Sequence, residues 1–317
     1  MNIKKGKVTI VGAGEIGSTT AYGMLLRKSA SDIVLANRNA EKARIKAFDM
    51  SHCIPHIDGV SIKGGGFEES SDSQVLVLTL GVLPKKDGKR TDVLARNVKI
   101  YKELLPCLAK LSPNAVIVAV TNPVDLMAMA ACSFSGLPAA RVIGTGTLLD
   151  TFRFRSFIGK TLGLSPFQVE ANVVGQHGES MVPLWSNVRV SGIELKKYVK
   201  DNGILWDTNT EKGIMEKTRR AGWDIRLGNE HSRYAIAYTI ALIVESILGG
   251  EAAFLPVSIK QNGDYGNEGA FMSLPSKLGL NGVSEIEGIR LLPQERENLY
   301  RASETIMKNA NPIMKYL

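Results

Sequence analysis

The first glycine-rich turn constrains the fold of this chain more than any other feature. An apolar run at residues 7–11 breaks into Gly-Ala-Gly-Glu-Ile-Gly at residues 12–17, and residues 18–27 have a helical composition. Glycines in this spacing allow a tight turn, close approach of the backbone to a pyrophosphate, and close packing of the helix on the strand. The amides and the dipole of that helix then favour the anion. We therefore predict a dinucleotide-binding strand-turn-helix unit.

Strands and helices alternate through the first half of the chain. The later apolar runs lie at residues 32–36, 75–79 and 115–120, and the helical segments between them lie at residues 41–52 and 94–108. Continuous apolar runs are typical of parallel strands that are covered on both faces. Pro106 and Pro113 are expected to mark the end of the second helical segment. The alternation predicts an α/β fold with a Rossmann-type doubly wound parallel sheet.

The pattern changes after Gly144. The expected elements are a helix at residues 148–159, a strand at 169–174, a long helical region at 211–248 with interruptions near Gly222 and Gly228, and a last helix at 293–309 with Pro293 in its first turn. We therefore predict a dinucleotide-binding domain at residues 1–147, followed by an α+β substrate domain at residues 148–317.

The composition excludes several classes of protein. The 317 residues are 44% hydrophobic and 22% charged, as in a soluble globular enzyme. The net charge of +8 comes from dispersed lysines and arginines, so we expect no nucleic-acid partner. The longest apolar helix candidate contains Glu245 and is too short for a bilayer, which predicts no membrane partner. The three cysteines lack metal spacing, so we expect reduced thiols in a cytoplasmic protein and no metal site.

His177 is the main candidate for an acid or base. It lies in the segment Gly-Gln-His-Gly at residues 175–178, where the glycines let backbone and ligand approach closely. A histidine titrates near neutral pH, and a carboxylate such as Asp150 can hold its charged form. Arg153, three residues after Asp150 on one side of a helix, could bind a carboxylate through two donors. The alternatives are a loop histidine with a satisfied hydrogen bond and a surface ion pair.

Two further segments carry candidate site residues. Residues 81–90 are polar, basic and rich in glycine, which is typical of a lid; Arg90 could polarise a carbonyl when this lid closes. A solvated basic loop is the alternative. Asn122 follows the apolar run that ends at Val120, at the carboxyl end of a strand where ligands of such folds bind. An ordinary Asn-Pro turn remains possible there.

The second strand ends at an unusual residue for a dinucleotide-binding fold. An acidic residue at this position would bond the adenosine ribose of NAD and repel a 2′-phosphate. Asn37 removes that repulsion, and Arg38 could grip a phosphate through paired donors. We expect NAD(P) as the cofactor, with NADP use or dual use favoured over strict NAD. The alternative is that Asn37 bonds the ribose while Arg38 faces water.

Taken together, these residues resemble the lactate/malate dehydrogenase family over most of the chain. The shared motifs are Gly-Ala-Gly-Glu-Ile-Gly at 12–17, Asp-Met-Ser-His at 49–52, Thr-Asn-Pro-Val-Asp at 121–125, Gly-Thr-Gly-Thr-Leu-Leu-Asp-Thr-Phe-Arg at 144–153 and Gly-Gln-His-Gly-Glu-Ser at 175–180. The resemblance implies hydride transfer between NAD(P) and a 2-hydroxy or 2-keto acid, in a homodimer or homotetramer. It also implies that residues 49–52 serve the packing of an intersubunit helix.

The resemblance gives each candidate a role. It implies His177 as the acid/base, Asp150 as its orienting carboxylate, Arg153 as the clamp for the substrate carboxylate, Arg90 as the polarising lid residue, and Asn122 and Ser232 as substrate contacts. The expected cofactor contacts are Gly12, Gly14, Ile16, Gly17, Asn37, Arg38, Gly81, Val120 and Asn122.

The substrate's side chain is the least determined feature. In the family, an arginine at the lid position of Pro84 accompanies a dicarboxylate and a glutamine accompanies lactate; proline supplies neither, although Lys85 or Lys86 could reach in. Glu230 to Tyr234 also departs from the family pattern, with Ser232 at a threonine position. The sequence looks closer to the 2-hydroxyisocaproate-type branch, which takes larger side chains. A reductase of a related C=O or C=N substrate, or a nonenzymatic NAD(P)-binding protein, are the alternatives.

Overall fold

A six-stranded parallel sheet organises the first half of the chain. The computed structural model describes residues 6–82, 90–228, 232–249 and 253–315, without the side chains of residues 90–92. The parallel strands are β1 (Lys7–Val11), β2 (Asp32–Ala36), β3 (Ser61–Gly65), β4 (Val75–Leu78), β5 (Val116–Ala119) and β6 (Val142–Gly144). They are ordered β3-β2-β1-β4-β5-β6. The order reverses direction between β1 and β4, which is where ligands bind in such sheets.

Burial explains the apolar runs. All four residues of β4 and all four of β5 are buried, so neither strand has a polar face. Helices cover both sides of the sheet, as the continuous apolar composition requires. The described helices are α1 (Glu15–Arg27), α2 (Ala40–Ser51), α3 (Arg90–Leu111), α4 (Val124–Ser135), α5 (Leu148–Leu162), α6 (Leu195–Asp201), α7 (Thr208–Leu227), α8 (Tyr234–Ile247), α9 (Pro293–Asn309) and α10 (Asn311–Met314).

The second half of the chain extends the same sheet. The remaining strands are β7 (Val169–Glu170), β8 (Val173–Gly175), β9 (Met181–Pro183), β10 (Arg189–Val190), β11 (Ile193–Glu194), β12 (Leu255–Lys260), β13 (Phe271–Gly279) and β14 (Gly282–Ile286). Strand β12 pairs antiparallel with β6, and β13, β8 and β9 continue outward from it. Strands β11, β10 and β7 form a separate small sheet, which packs into a second core cluster around Phe154.

The structure confirms the α/β prediction of a Rossmann-type doubly wound sheet followed by a domain that combines helices and strands. Two predicted helix limits are wrong. Pro106 lies inside α3, on its exposed side, because the buried Tyr101, Leu105 and Leu108 anchor the helix on both sides of it. Gly222 lies inside α7, since a helical glycine costs only about 1 kcal/mol.

One predicted strand has the wrong limits, and one observed strand was not predicted. The strand expected at residues 169–174 is two short strands, β7 and β8, that belong to different sheets. Strand β3 was not predicted because it ends in two glycines. Gly64 is needed there, because a Cβ would overlap the backbone of Ala43 in α2. Along the described residues, no helix is long and apolar enough to cross a membrane.

The glycine turn offers a matched test of the packing between β1 and α1. A Cβ at Gly17 would overlap the carbonyl oxygen of Gly12, whereas a Cβ at Gly23, in the same helix, meets nothing within 4 Å. We expect Gly17→Ala to lower the free energy of unfolding by about 2 kcal/mol, because the backbone must shift. Gly23→Ala should raise it by up to about 1 kcal/mol. Urea unfolding checks both; equal stabilities would contradict the packing.

Candidate active site

Buried threonines fasten α5 to β8. The hydroxyl of Thr147 donates to the carbonyl of Val173 at 2.5 Å, and the amide of Val173 donates to the hydroxyl of Thr151 at 3.0 Å. These bonds join the first turn of a helix to a strand at full burial, where unpaired polar groups would be costly. They set Asp150, between the two threonines, beside the loop that follows β8.

His177 and Asp150 form the centre of the site. The two residues meet with His177 Nδ1 2.6 Å from Asp150 Oδ2, and Asp150 is only 1% exposed while the histidine side chain is 27% exposed. The backbone turns through positive φ at Gly175 (84°) and Gly178 (123°), which brings the histidine out of the sheet. Because the carboxylate is an acceptor, Nδ1 carries a proton and Nε2 is left for the solvent side. The ring can therefore take up or release a proton at Nε2.

Arg153 completes a chain of three charged groups. Its Nη1 donates to Asp150 Oδ1 at 3.1 Å, so the two carboxylate oxygens serve one arginine and one histidine. The arginine side chain is 15% exposed, so part of it is accessible to a ligand. A carboxylate held by two donors is a rigid support for both side chains. The structure thus brings together His177, Asp150 and Arg153 in one hydrogen-bonded group.

The pKa shifts follow from this arrangement. The negative charge of Asp150 raises the pKa of His177 above its ordinary value, against the opposing effect of burial. Burial acts to raise the pKa of Asp150. The charges of His177 and Arg153, and the hydrogen bonds that both donate to the carboxylate, outweigh burial and hold that pKa below its usual range. Asp150 is therefore ionised at neutral pH, and it favours the protonated form of His177.

Asp125 is a residue of this site for which the sequence predicted no role. Its Oδ2 accepts the backbone N–H of His177 at 2.8 Å, and the side chain is 2% exposed in the first turn of α4. Its Oδ1 has no hydrogen-bond partner among the described residues. Burial raises the pKa of Asp125 to about 6. Asp125 is the last residue of the motif at 121–125. An acidic residue within an otherwise apolar helix is the sequence feature that could have indicated its role.

Other predicted residues lie at the same edge of the sheet or outside the described side chains. Asn122 is exposed beyond the carboxyl end of β5, three residues before Asp125, and its peptide bond to Pro123 is cis. Val120 is buried, and Gly81 follows β4 with Val82 N–H bonded to Asn97 at 2.8 Å. Ser232 is half-buried just before α8. The side chain of Arg90, residues 83–89 of the lid, and residues 229–231 lie outside the described part.

The glycine turn has the shape that a dinucleotide needs. Gly12 has a φ of 118°, and a Cβ there would press on Thr79 at the end of β4. A Cβ at Gly14 meets nothing within 4 Å, so open space lies beside this residue at the start of α1. The partly buried Ile16 packs against the core and holds the turn in place. A diphosphate fits into this open cradle, against the N-terminus of α1.

Asn37 and Arg38 lie where the adenosine ribose is expected. Asn37 accepts the N–H of Ala13 at 3.4 Å and donates to the carbonyl of Asn39 at 3.1 Å, so it ties the end of β2 to the glycine turn. Arg38 is exposed. Lys42 and Lys46 of α2 lie close together, since Lys42 lowers the pKa of Lys46, second to burial, while Glu15 acts to raise it.

Two models of one protein family match nearly the whole chain. Residues 6–144 match the lactate/malate dehydrogenase NAD binding domain, and residues 147–316 match the lactate/malate dehydrogenase alpha/beta C-terminal domain. An L-lactate dehydrogenase of Clostridium perfringens is 33% identical over 303 residues, 96% of each chain. One of Thermoanaerobacterium saccharolyticum is 36% identical over 301 residues, 95% of this chain and 96% of its own.

Solved structures agree with these matches. The ligand-bound minor L-lactate dehydrogenase of Enterococcus mundtii superimposes with a TM-score of 0.92 at 34% identity, over 97% of this chain and 98% of its own. An L-lactate dehydrogenase of Clostridium thermocellum superimposes with a TM-score of 0.85 at 34% identity, over 96% of this chain and 98% of its own. Fold, site and matches define an NAD-dependent oxidoreductase of two domains. The chain belongs to the lactate/malate dehydrogenase family, and it is a 2-hydroxy-acid dehydrogenase of that kind.

The raised pKa of Asp125 predicts how the stability of the protein depends on pH. The folded-state pKa of about 6 exceeds the value of about 3.9 in an unfolded chain, so ionising Asp125 removes stability as the pH rises from about 4 through 6. Asp125→Asn keeps an oxygen acceptor for the N–H of His177 and removes the charge. We expect it to be more stable than the wild type at pH 8 by about 1–3 kcal/mol, and by less at pH 5.

Urea unfolding at the two pH values measures this difference. Asp125→Ala is the matched control, because it leaves the N–H of His177 without its acceptor and should be less stable than Asp125→Asn at both pH values. An advantage of Asp125→Asn that is the same at pH 5 and pH 8 would contradict the buried charge.

Proposed function

We propose that His177, Asp150, Arg153, Arg90 and Asn122 carry out the interconversion of a 2-hydroxy acid and its 2-keto acid. The observation that carries this proposal is the hydrogen-bonded group in which Asp150 holds both His177 and Arg153. A nicotinamide dinucleotide held at the glycine turn would supply the hydride chemistry at C2 of the substrate. The protein supplies position and charge.

Each residue has a distinct part in the proposal. Arg153 binds the C1 carboxylate and, through Asp150, fixes the substrate relative to His177. In oxidation the neutral His177 removes the hydroxyl proton at Nε2; in reduction the protonated ring donates it. Asp150 supports the charged ring, as its effect on the pKa of His177 indicates. Arg90 would support the carbonyl oxygen, and Asn122 and Ser232 would contact the substrate, by resemblance to the family.

We propose NADP use or dual use for the cofactor. The glycine turn would bind the diphosphate through Gly12, Gly14, Ile16 and Gly17, with Gly81 and Val120 nearby. Asn37 places no negative charge at the ribose, Arg38 is an exposed cation beside it, and Lys42 and Lys46 are further cations on the helix that follows. A 2′-phosphate would be attracted there and not repelled.

The proposed substrate is a monocarboxylic 2-keto acid with an apolar side chain larger than a methyl group, as in the 2-hydroxyisocaproate-type branch. The support is the sequence at Pro84 and at 230–234, together with a glycine, Gly222, at the position of α7 that faces Arg153. A Cβ built on Gly222 of α7 meets only the guanidinium of Arg153, at 3.8 Å. The curated relatives named above are L-lactate dehydrogenases, which points to monocarboxylates but not to this branch.

We also propose that the protein forms a homo-oligomer. Ile45 and Phe48 on α2, and Trp223 and Leu227 on α7, are exposed apolar side chains of the kind that subunits cover, which supports a homodimer or homotetramer. Residues 49–52 would then belong to an intersubunit helix. We place the functional division between residues 1–147 and 148–317, and we propose a cytoplasmic location, which suits the three free thiols.

Kinetics on a panel of substrates test the reaction. The panel comprises pyruvate, oxaloacetate, straight and branched 2-keto acids, and a cyclic imine. We expect turnover of branched monocarboxylic acids, and we expect His177→Asn to lower kcat/KM by a factor on the order of 10³ because the proton transfer is lost. Its Kd for the reduced cofactor should stay within about twofold, since the ring does not touch the glycine turn.

His56→Asn is the control for that substitution, since His56 is exposed in a short 3-10 turn. It should retain the activity of the wild type. Near-native turnover by His177→Asn would remove His177 from the mechanism. Turnover confined to the imine, or to no compound despite cofactor binding, would instead favour the alternative reductase or a nonenzymatic role.

The cofactor proposal has its own test. Asn37→Asp places a carboxylate beside the ribose, so we expect KM for NADPH to rise about tenfold while KM for NADH is unchanged or falls. Asn298→Asp, the same change on exposed α9, is the control and should alter neither. If the wild type already prefers NADH by orders of magnitude, Asn37 and Arg38 do not select NADP.

A further inference from the structure

Helices α1 and α8 are joined by an ion pair at each end. Arg233, at the N-cap of α8, lies with Nη1 3.2 Å from Oε2 of Glu15, the first residue of α1. At the other end, Arg27 donates twice to the carboxylate of Glu245, at 2.8 Å each, and stacks 4.6 Å above the ring of Tyr238. The paired residues are equally far apart in the two helices. The helices therefore run parallel, and their N-termini lie at the same end.

That end is the dinucleotide turn. Glu15 directly follows Gly14, where the backbone leaves open space for a diphosphate. The positive ends of two helix dipoles, α1 and α8, point toward this region, and each favours an anion. The start of α8 is thus a structural neighbour of the glycine turn although it is far away in the sequence.

The negative charge of Glu15 has two opposite effects at the glycine turn, and Arg233 is paired with it. A carboxylate in the first turn stabilises α1 through the helix dipole, but it would repel a diphosphate bound at the same turn. The side chain of Glu15 is 63% exposed, and that of Arg233 is 23% exposed and lies against the ring of Tyr234 at 5.2 Å. Lys46 of α2 is also close enough for Glu15 to raise its pKa, against the stronger lowering by burial.

We propose that Arg233 is a diphosphate-binding residue, and that it forms with the N-terminus of α8 the second half of the cofactor's anion site. A guanidinium has five N–H donors in a planar fork, so it can serve a carboxylate and a phosphate together. Arg233 would neutralise Glu15 and offer N–H donors to the diphosphate. The inference rests on dinucleotide binding at residues 12–17 and is independent of which 2-keto acid is the substrate.

Binding measurements on Arg233→Met test this role. Methionine keeps much of the apolar stem and removes the charge. Nucleotide affinity is measured by the fluorescence of NADPH and NADH and by competition with ADP and with adenosine, each at low and high salt. We expect Kd to rise about tenfold for NADPH, NADH and ADP at low salt and by less at high salt, with adenosine unchanged. Arg233→Lys should recover part of the loss, and Glu15→Gln should tighten ADP binding.

Arg301→Met is the matched control, because Arg301 is an exposed arginine that pairs with Glu297 within α9. It should bind all four compounds as the wild type does. Unchanged ADP affinity in both Arg233→Met and Arg233→Lys would overturn the proposal, and so would a loss of adenosine affinity equal to the loss for ADP. ADP carries no nicotinamide and undergoes no turnover, so a failed substrate panel leaves this result intact.

Discussion

The buried carboxylate of Asp150 is the group on which the rest of the site depends. A carboxylate that is 1% exposed persists as an anion only when donors satisfy it, and here one oxygen is bonded to His177 and the other to Arg153. This single group therefore sets the tautomer and charge of the histidine and the position of the arginine. The threonines on each side of it fasten α5 to β8, so the support is as rigid as the sheet.

The sheet joins the two halves of the chain around this group. Strand β12 pairs with β6, so the parallel strands that carry the glycine turn and the antiparallel strands that carry His177 form one continuous surface. Asp125, in the first half of the chain, bonds the backbone of His177 in the second. Two helices also connect the halves of the chain, because ion pairs join α1 to α8 at both ends. The glycine turn and His177 are thus held in fixed positions relative to each other.

Much of this could be predicted from local sequence because local forces decide it. The runs at 7–11 and 32–36 became strands with those limits, and Pro293 begins α9, where its missing N–H costs nothing. Predictions failed where packing overrode local preference: Pro106 inside α3, Gly222 inside α7, and the division of residues 169–174 between two sheets. For the proline and the glycine, helix packing outweighed about 1–3 kcal/mol of backbone preference, and for residues 169–174 the pairing partners lie elsewhere in the sequence.

The sequence by itself determined the class of fold, the glycine turn, and the identity of the residues in the His-Asp-Arg group, because these depend on residue type and spacing along one segment. Only the tertiary structure decided that a second carboxylate, Asp125 of α4, bonds the backbone of His177. It alone also placed Arg233 beside Glu15. Burial and charge act between groups that are close in space, and no sequence pattern encodes the distance between residues more than two hundred positions apart.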